Sequence, residues 1–298
     1  MRHPLERPSH ETGPTMSALD FTIHSPIPNY NAIAARQAFE SAGSERLVAA
    51  GKDVFREGDK ASALLLQSDK MYYLAEGKVA LSINKEVIGH IQPGDVFGEM
   101  AVITGMPRTA TATAVKPCRF ITLDKFQLQT ALGSNPEFGL LLMNIMIAHM
   151  RDAVAAMAAQ DIEVSGRGPK DYALLDKKML AKLVDEFDAN ACIRYPAEKV
   201  IVQEGQAGVL VYVVVEGSVE ISIQGNVVGT VSQGGIFGEM ALISRAERTA
   251  TATALTNCSL LAINRAQFLD LVSANPKFAV ALLGAVGNRA RFIASMRG

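Results

Sequence analysis

The same signature occurs twice in this chain. Phe97-Gly98-Glu99-Met100-Ala101 recurs as Phe237-Gly238-Glu239-Met240-Ala241, and Arg108-Thr109-Ala110-Thr111-Ala112-Thr113-Ala114 recurs as Arg248-Thr249-Ala250-Thr251-Ala252-Thr253-Ala254. Both pairs lie 140 positions apart, as do Glu76-Gly77 with Glu216-Gly217, Cys118 with Cys258, and Asn135-Pro136 with Asn275-Pro276. A constant offset over such a distance means one structural unit present twice. The register breaks once. Glu57-Gly58 matches Glu204-Gly205 at an offset of 147, so the first copy carries seven extra residues within Asp59–Lys70. A chain of 298 residues has room for two units of ordinary domain size.

Each copy reads alike. A helical pattern opens it, Ala32–Ser41 in the first and Tyr172–Phe187 in the second. Short β-branched or alternating runs follow, split by Gly and Asn turns: Met71–Ala75, Lys78–Ile83 and Val87–Ile91, then Lys199–Gln203, Val209–Val215, Ser218–Ile223 and Val227–Val231. Strands this short and closely spaced predict an antiparallel β-roll rather than a parallel sheet. Each copy closes in helix, with Asn135 and Asn275 as candidate N-caps followed by Pro at the first helical position. Leu142, Met146, Met150, Val154 and Met157 form one apolar stripe on the first of these helices. That stripe fits packing onto its own domain, and it equally fits a dimer seam or a domain-joining helix. The expected fold is mainly β with flanking helices (α+β): two tandem jelly-roll-like β-rolls at 32–162 and 172–298. Residues 163–171, with Gly166 and Gly168, read as linker, and 1–31 as a disordered segment in which Met16 begins a more ordinary protein start.

Charge and composition remove several function classes. Lys and Arg number 29 against 30 Asp and Glu, so no basic excess points to nucleic acid or an anionic membrane. Cys118, Cys192 and Cys258 are too few and too scattered for a disulfide framework or metal cluster, and read as reduced thiols. The five histidines, His3, His10, His24, His90 and His149, form no constellation with Cys or acidic residues. No catalytic set, metal or cofactor is expected. The longest apolar runs, Leu140–Ile147 and Phe278–Val286, fall well short of the ~20 residues that span a bilayer. The N-terminus has no apolar signal-peptide core, so the expected location is the cytoplasm.

The repeated signature carries the chemistry. Its Gly permits close backbone approach to a ligand. Glu-Met-Ala-Val/Leu-Ile suits one helical turn, whose free amides and dipole favour an anion. Nine residues after the Glu comes an Arg, whose fork matches phosphate oxygens. A Glu can accept from a sugar hydroxyl. One Glu for ribose and one Arg for phosphate together describe a nucleotide. No Gly-x-x-x-x-Gly-Lys-Ser/Thr loop is present to cradle a polyphosphate, so a single, cyclic phosphate fits better.

On these segments the chain resembles the cyclic-nucleotide-binding domain family, which includes the bacterial catabolite activator, regulatory subunits of cyclic-AMP-dependent kinase and cyclic-nucleotide-gated channels. The resemblance covers about Ala32–Asp161 and Tyr172–Met296. It implies that Glu99 and Glu239 hold the ribose 2′-hydroxyl and that Arg108 and Arg248 pair with the cyclic phosphate. Gly98, Met100, Ala110, Gly238, Met240 and Ala250 would line the phosphate through backbone, flanked by Phe97, Ala101, Phe237 and Ala241. Thr109 and Thr249 could reach phosphate or base, and Ile91 and Val231 would pack against the nucleotide. Arg151 and Arg291, also 140 apart, would close the site from the lid helices or remain as solvated helix charge.

The copies differ in one flank of the Arg. Pro107 precedes it in the first, and Glu247 in the second, where an outward side chain is expected. The implied function is a non-enzymatic receptor for cyclic AMP, with cyclic GMP as the alternative. It would signal through helix movement to a protein partner or, through its C-terminal helices, to a second copy. A DNA-binding regulator is disfavoured because no basic recognition helix is visible in the ~40 residues after Cys258. A kinase-type regulatory subunit fits the tandem layout, yet Arg36 is the only Lys or Arg in residues 17–45, against substrate mimicry there.

Overall fold

The computed structural model describes residues 30–60, 69–158, 175, 177–187, 191–239 and 247–295, with backbone alone for 150–158 and 289–295. The first copy begins with α1 (Ala32–Ala42). Eight strands follow: β1 (Ser44–Val48), β2 (Asp53–Phe55), β3 (Lys70–Glu76), β4 (Val79–Ile83), β5 (Glu86–Ile91), β6 (Val96–Phe97), β7 (Thr111–Ala114) and β8 (Cys118–Asp124). They form two four-stranded antiparallel sheets, ordered β1-β8-β3-β6 and β2-β7-β4-β5. The short helix α2 (Glu99–Thr104) interrupts the run between β6 and β7, and α3 (Lys125–Ser134) and α4 (Pro136–Ala158) close the copy.

The second copy repeats this plan. After α5 (Lys177–Asp185) come β9 (Cys192–Tyr195), β10 (Val200–Val202), β11 (Val211–Glu216), β12 (Ser218–Ile223), β13 (Asn226–Ser232), β14 (Ile236–Phe237), β15 (Thr251–Ala254) and β16 (Cys258–Ile263), then α6 (Arg265–Ala274) and α7 (Pro276–Ser295). The sheets β9-β16-β11-β14 and β10-β15-β12-β13 match those of the first copy strand for strand. The chain is a tandem pair of antiparallel β-rolls with flanking helices.

Local chemistry sets the boundaries. Asp124 and Asn264 form capping boxes with Gln127 and Gln267, which start α3 and α6 at the residue after each cap. Asn135 and Asn275 close those helices just before the prolines that open α4 and α7. The Asn135 amide donates to the Ala34 carbonyl at 3.3 Å, tying α4's start to α1.

Two expectations need correction. The disordered segment was expected to reach residue 31, but Asn31 caps α1 by accepting from the Ala34 amide, and Tyr30 packs on the helical core. The second copy's first helix begins at Lys177 rather than Tyr172, since Leu175 is a non-helical, buried residue bonded through its amide to the Gly234 carbonyl. Residues 1–29, residues 61–68 of the stretch Asp59–Lys70 that holds the insertion, and the expected linker 163–171 lie outside the described residues.

The described part of the apolar stripe on α4 packs within the chain. Leu142 and Met146 are fully buried in one cluster that also holds Phe278, Leu282 and Val286 of α7, so the helices of both copies share a core. Met150, Val154 and Met157 lie where side chains are not described. Each β-roll keeps its own smaller interior, around Phe120 in the first and Leu260 in the second.

Helix α7 also packs on α2 of the first copy. Gly284 and Gly287 permit this: a Cβ on Gly287 would fall 3.0 Å from Thr104 Cγ2 and 3.3 Å from Met146 Sδ. At the matching positions α4 carries Asn144 and Ile147. Gly287→Leu is therefore expected to overpack this seam and destabilise the chain by about 1–3 kcal/mol. Urea denaturation checks this, and an unchanged midpoint would remove the seam from the account.

Candidate functional site

Between β6 and α2 the backbone turns at Gly98, which has φ 71°. A Cβ there would be strained by that angle and would sit 2.9 Å from Arg108 Nη1. The bare backbone lets the guanidinium close onto the turn. Arg108 Nη1 donates to the Gly98 carbonyl at 2.7 Å, and Nη2 donates to the Lys70 carbonyl at 2.6 Å. The Phe55 ring lies 4.3 Å from the guanidinium carbon, and Asp69 Oδ1 is 3.8 Å from Nη2. Arg108 is only 7% exposed. Burial pulls its pKa down, while Tyr72, Asp69, Glu99 and Asp59 act in the opposite sense. The cation is thus fixed in place by carbonyl dipoles and an aromatic face, with further N–H donors of its fork left over from these two bonds.

Glu99 opens α2 and is 4% exposed. Its Oε1 lies 3.0 Å from Nε2 of His149 on α4. Glu99 and Arg108 border one cavity of about 400 Å³, lined also by Ile91, by Phe97 through Ala101, and by Thr109 and Ala110. That volume falls in the ~300–1,000 Å³ range of small-molecule sites. Every first-copy residue singled out from sequence, Arg151 apart, thus faces the same space.

The second copy builds the same hand. Gly238 has φ 77°. Arg248 Nη1 donates to the Gly238 carbonyl at 3.1 Å and Nη2 to the Leu210 carbonyl at 2.9 Å. Gly238 and Leu210 lie 140 residues after Gly98 and Lys70, so the repeat extends to the bonds of the guanidinium. Burial pulls the Arg248 pKa down too, with Tyr212 and Glu239 opposing. Glu239 is 3% exposed, and Phe237 stacks on Tyr212 with centroids 5.1 Å apart. Val231 and Ala250 are half-buried, while Thr249 and Glu247 are exposed. Met240 and Ala241 lie outside the described residues, as do the side chains of Arg151 and Arg291.

Two local differences set the copies apart. Val202 of β10 replaces Phe55, so Arg248 lacks that aromatic bed and is half-buried rather than buried. Gly208 lies against Arg248 so closely that a Cβ would fall 2.1 Å from Nε. Gly208→Ala is expected to push Arg248 off its carbonyls and weaken a ligand at the second site by about 1–3 kcal/mol, the cost of a broken charged hydrogen bond. Titration calorimetry checks this; equal affinity in the variant would show that the guanidinium position is immaterial.

Sequence reasoning passed over Phe55, Tyr72, Tyr30 and His149. Tyr72 sits in a run read only as a short strand, and Phe55 on β2, a strand that was not anticipated in the first copy. His149 was set aside for want of a nearby partner, although it lies four residues after Ile145, which lines the same cavity. The repeat offset held a further signal: it matches His149 with Arg289, a second basic residue.

Comparison with known proteins places these features. Residues 45–135 and 192–275 match the family model described as the cyclic nucleotide-binding domain. The chain is 26% identical over 229 residues to a cAMP-dependent protein kinase regulatory subunit of Eremothecium gossypii, covering 76% of this chain and 44% of that one. It is 32% identical over 171 residues to a cGMP-dependent protein kinase, isozyme 2, of Drosophila melanogaster, covering 56% of this chain and 15% of that one. The chain therefore spans less than half the length of either relative. Among solved structures, the regulatory domain of Toxoplasma gondii PKA with cAMP is 22% identical, with a TM-score of 0.28 over 79% of this chain and 86% of that one. The Thermus thermophilus catabolite activator protein is 23% identical, with a TM-score of 0.39 over 57% and 75%.

Proposed function

The chain belongs to the cyclic nucleotide-binding domain family, with two copies of that domain, and from this we propose that it is a non-enzymatic cyclic-nucleotide receptor with two working sites. The observation that carries this reading is the duplicated hand. In both copies a buried Glu follows a left-handed Gly, and an Arg nine residues on is held by that Gly's carbonyl. The phosphate meets Arg108 or Arg248, and the ribose 2′-hydroxyl donates to Glu99 or Glu239. The base occupies the apolar wall that includes Ile91 in the first copy and Val231 in the second. Cyclic AMP is the first choice of ligand and cyclic GMP the second.

The signal travels through helices. His149 links the ribose-binding Glu99 to α4, and α4 shares a core with α7. A nucleotide can shift these helices only by binding one arrangement better than another. A protein partner reads the arrangement. The kinase-subunit relatives support a partner of that kind, and among the described residues no group of three or more His, Cys, Asp or Glu could hold a metal ion for catalysis. Calorimetric titration with cyclic AMP and cyclic GMP separately tests the reading. Saturable binding of at least one is expected, and absence of heat and of competition with both would remove it.

A further inference from the structure

Phosphate and ribose account for Arg108 and Glu99, but the purine needs a flat apolar wall. The first cavity supplies Leu81, Ile91, Val96 and Ile145, and one aromatic side chain from outside the β-roll, Tyr30. Tyr30 immediately precedes the residue that caps α1, and it lies before residues 45–135, which match the family model. Its ring packs on the shared helical core while lining the cavity. Its hydroxyl donates to the Gly94 carbonyl at 2.8 Å, in the turn between β5 and β6, which fixes the ring's position. Burial, then Asp95, hold the phenol above its ordinary pKa, so it remains a neutral donor.

The second copy provides an internal contrast. Gly234 is the counterpart of Gly94, and its carbonyl accepts instead from the backbone amide of Leu175, at 3.2 Å. A Cβ on Gly234 would fall 2.5 Å from the Leu175 carbonyl oxygen, so main chain closely covers that turn. The same point of the fold is thus met by a phenol in one copy and by aliphatic main chain in the other.

We propose that Tyr30 is a ligand-contacting residue of the first site, an aromatic wall for the purine at the point of the fold where the second copy presents the main chain of Leu175. This rests on the cyclic-nucleotide reading of the site. It makes the two sites unequal at this position.

The test uses the full chain carrying Arg248→Ala, so that calorimetry with cyclic AMP and cyclic GMP reports the first site. Adding Tyr30→Ala is expected to weaken binding about tenfold or more, the loss typical of a base–aromatic contact. Tyr30→Phe keeps the ring and should stay within about threefold, since only the hydroxyl bond is lost. In a separate chain carrying Arg108→Ala and intact Arg248, Tyr30→Ala should leave the second site unchanged. Unaltered first-site affinity in Tyr30→Ala overturns the assignment, as does equal weakening of both sites.

Should Tyr30→Ala fail to fold, Tyr30→Trp decides, because the chain has no Trp of its own. Its fluorescence should shift on nucleotide addition and stay constant when Arg108→Ala is added. A constant spectrum with intact Arg108 overturns the proposal. Absence of binding by the wild-type chain would instead overturn the reading of the site, and this assignment with it.

Discussion

Arg108→Ala is expected to weaken nucleotide binding at the first site by about 2–5 kcal/mol, the range for removing one partner of a buried, hydrogen-bonded charge pair. The expectation follows from how the guanidinium is held. Two carbonyls, Gly98 and Lys70, and the Phe55 ring position it before any ligand arrives, so a phosphate meets a fixed donor in a water-poor setting. Arg248→Ala should weaken the second site too, but toward the lower end of that range. There the guanidinium is half-buried and has no counterpart of Phe55, so solvent screens more of its attraction. Calorimetry on each single variant checks the order. A larger loss at the second site would contradict the role given to burial.

Phe138→Ala is expected to destabilise the fold by about 3–5 kcal/mol, as truncation of a fully buried Phe does. Phe138 stands in the first turn of α4 with no exposure, edge-on to Phe39 of α1 at 5.7 Å. It anchors the helix that carries Ile145 and His149 to the first site. Its counterpart in the repeat is Phe278, 2% exposed in the first turn of α7. Because both lie in one cluster, the loss should appear as an early transition of the whole helical core in urea denaturation followed by circular dichroism. A change below about 1 kcal/mol, the scale of surface substitutions, would mean that the core does not hold α4 in place.

Much of this architecture could be read from the repeat. A constant offset locates two units, and short β-branched runs between turn residues give antiparallel strands within a residue or two of those found. The Gly–Glu…Arg spacing was legible because its geometry is local: the Gly turn, the first helical residue and the Arg that precedes β7 follow one another closely in sequence. What stayed hidden comes from distant chain. Phe55 lies 53 residues before Arg108, and His149 lies 50 after Glu99, so no local pattern joins them. Tyr30 sits in a stretch whose composition resembles disorder, and its hydrogen bond to Gly94 spans 64 positions. The start of α5 was misplaced because Leu175 continues the apolar helical period while its backbone is committed to Gly234. Periodicity cannot reveal that competing bond.

The duplicated hand is tested most directly by stoichiometry. Equilibrium dialysis with labelled cyclic nucleotide should give two bound per wild-type chain, one per chain for Arg108→Ala and one for Arg248→Ala, and none for the double variant at the same ligand concentration. Two bound nucleotides persisting in either single variant, or fewer than two in the wild type at saturation, would contradict the account.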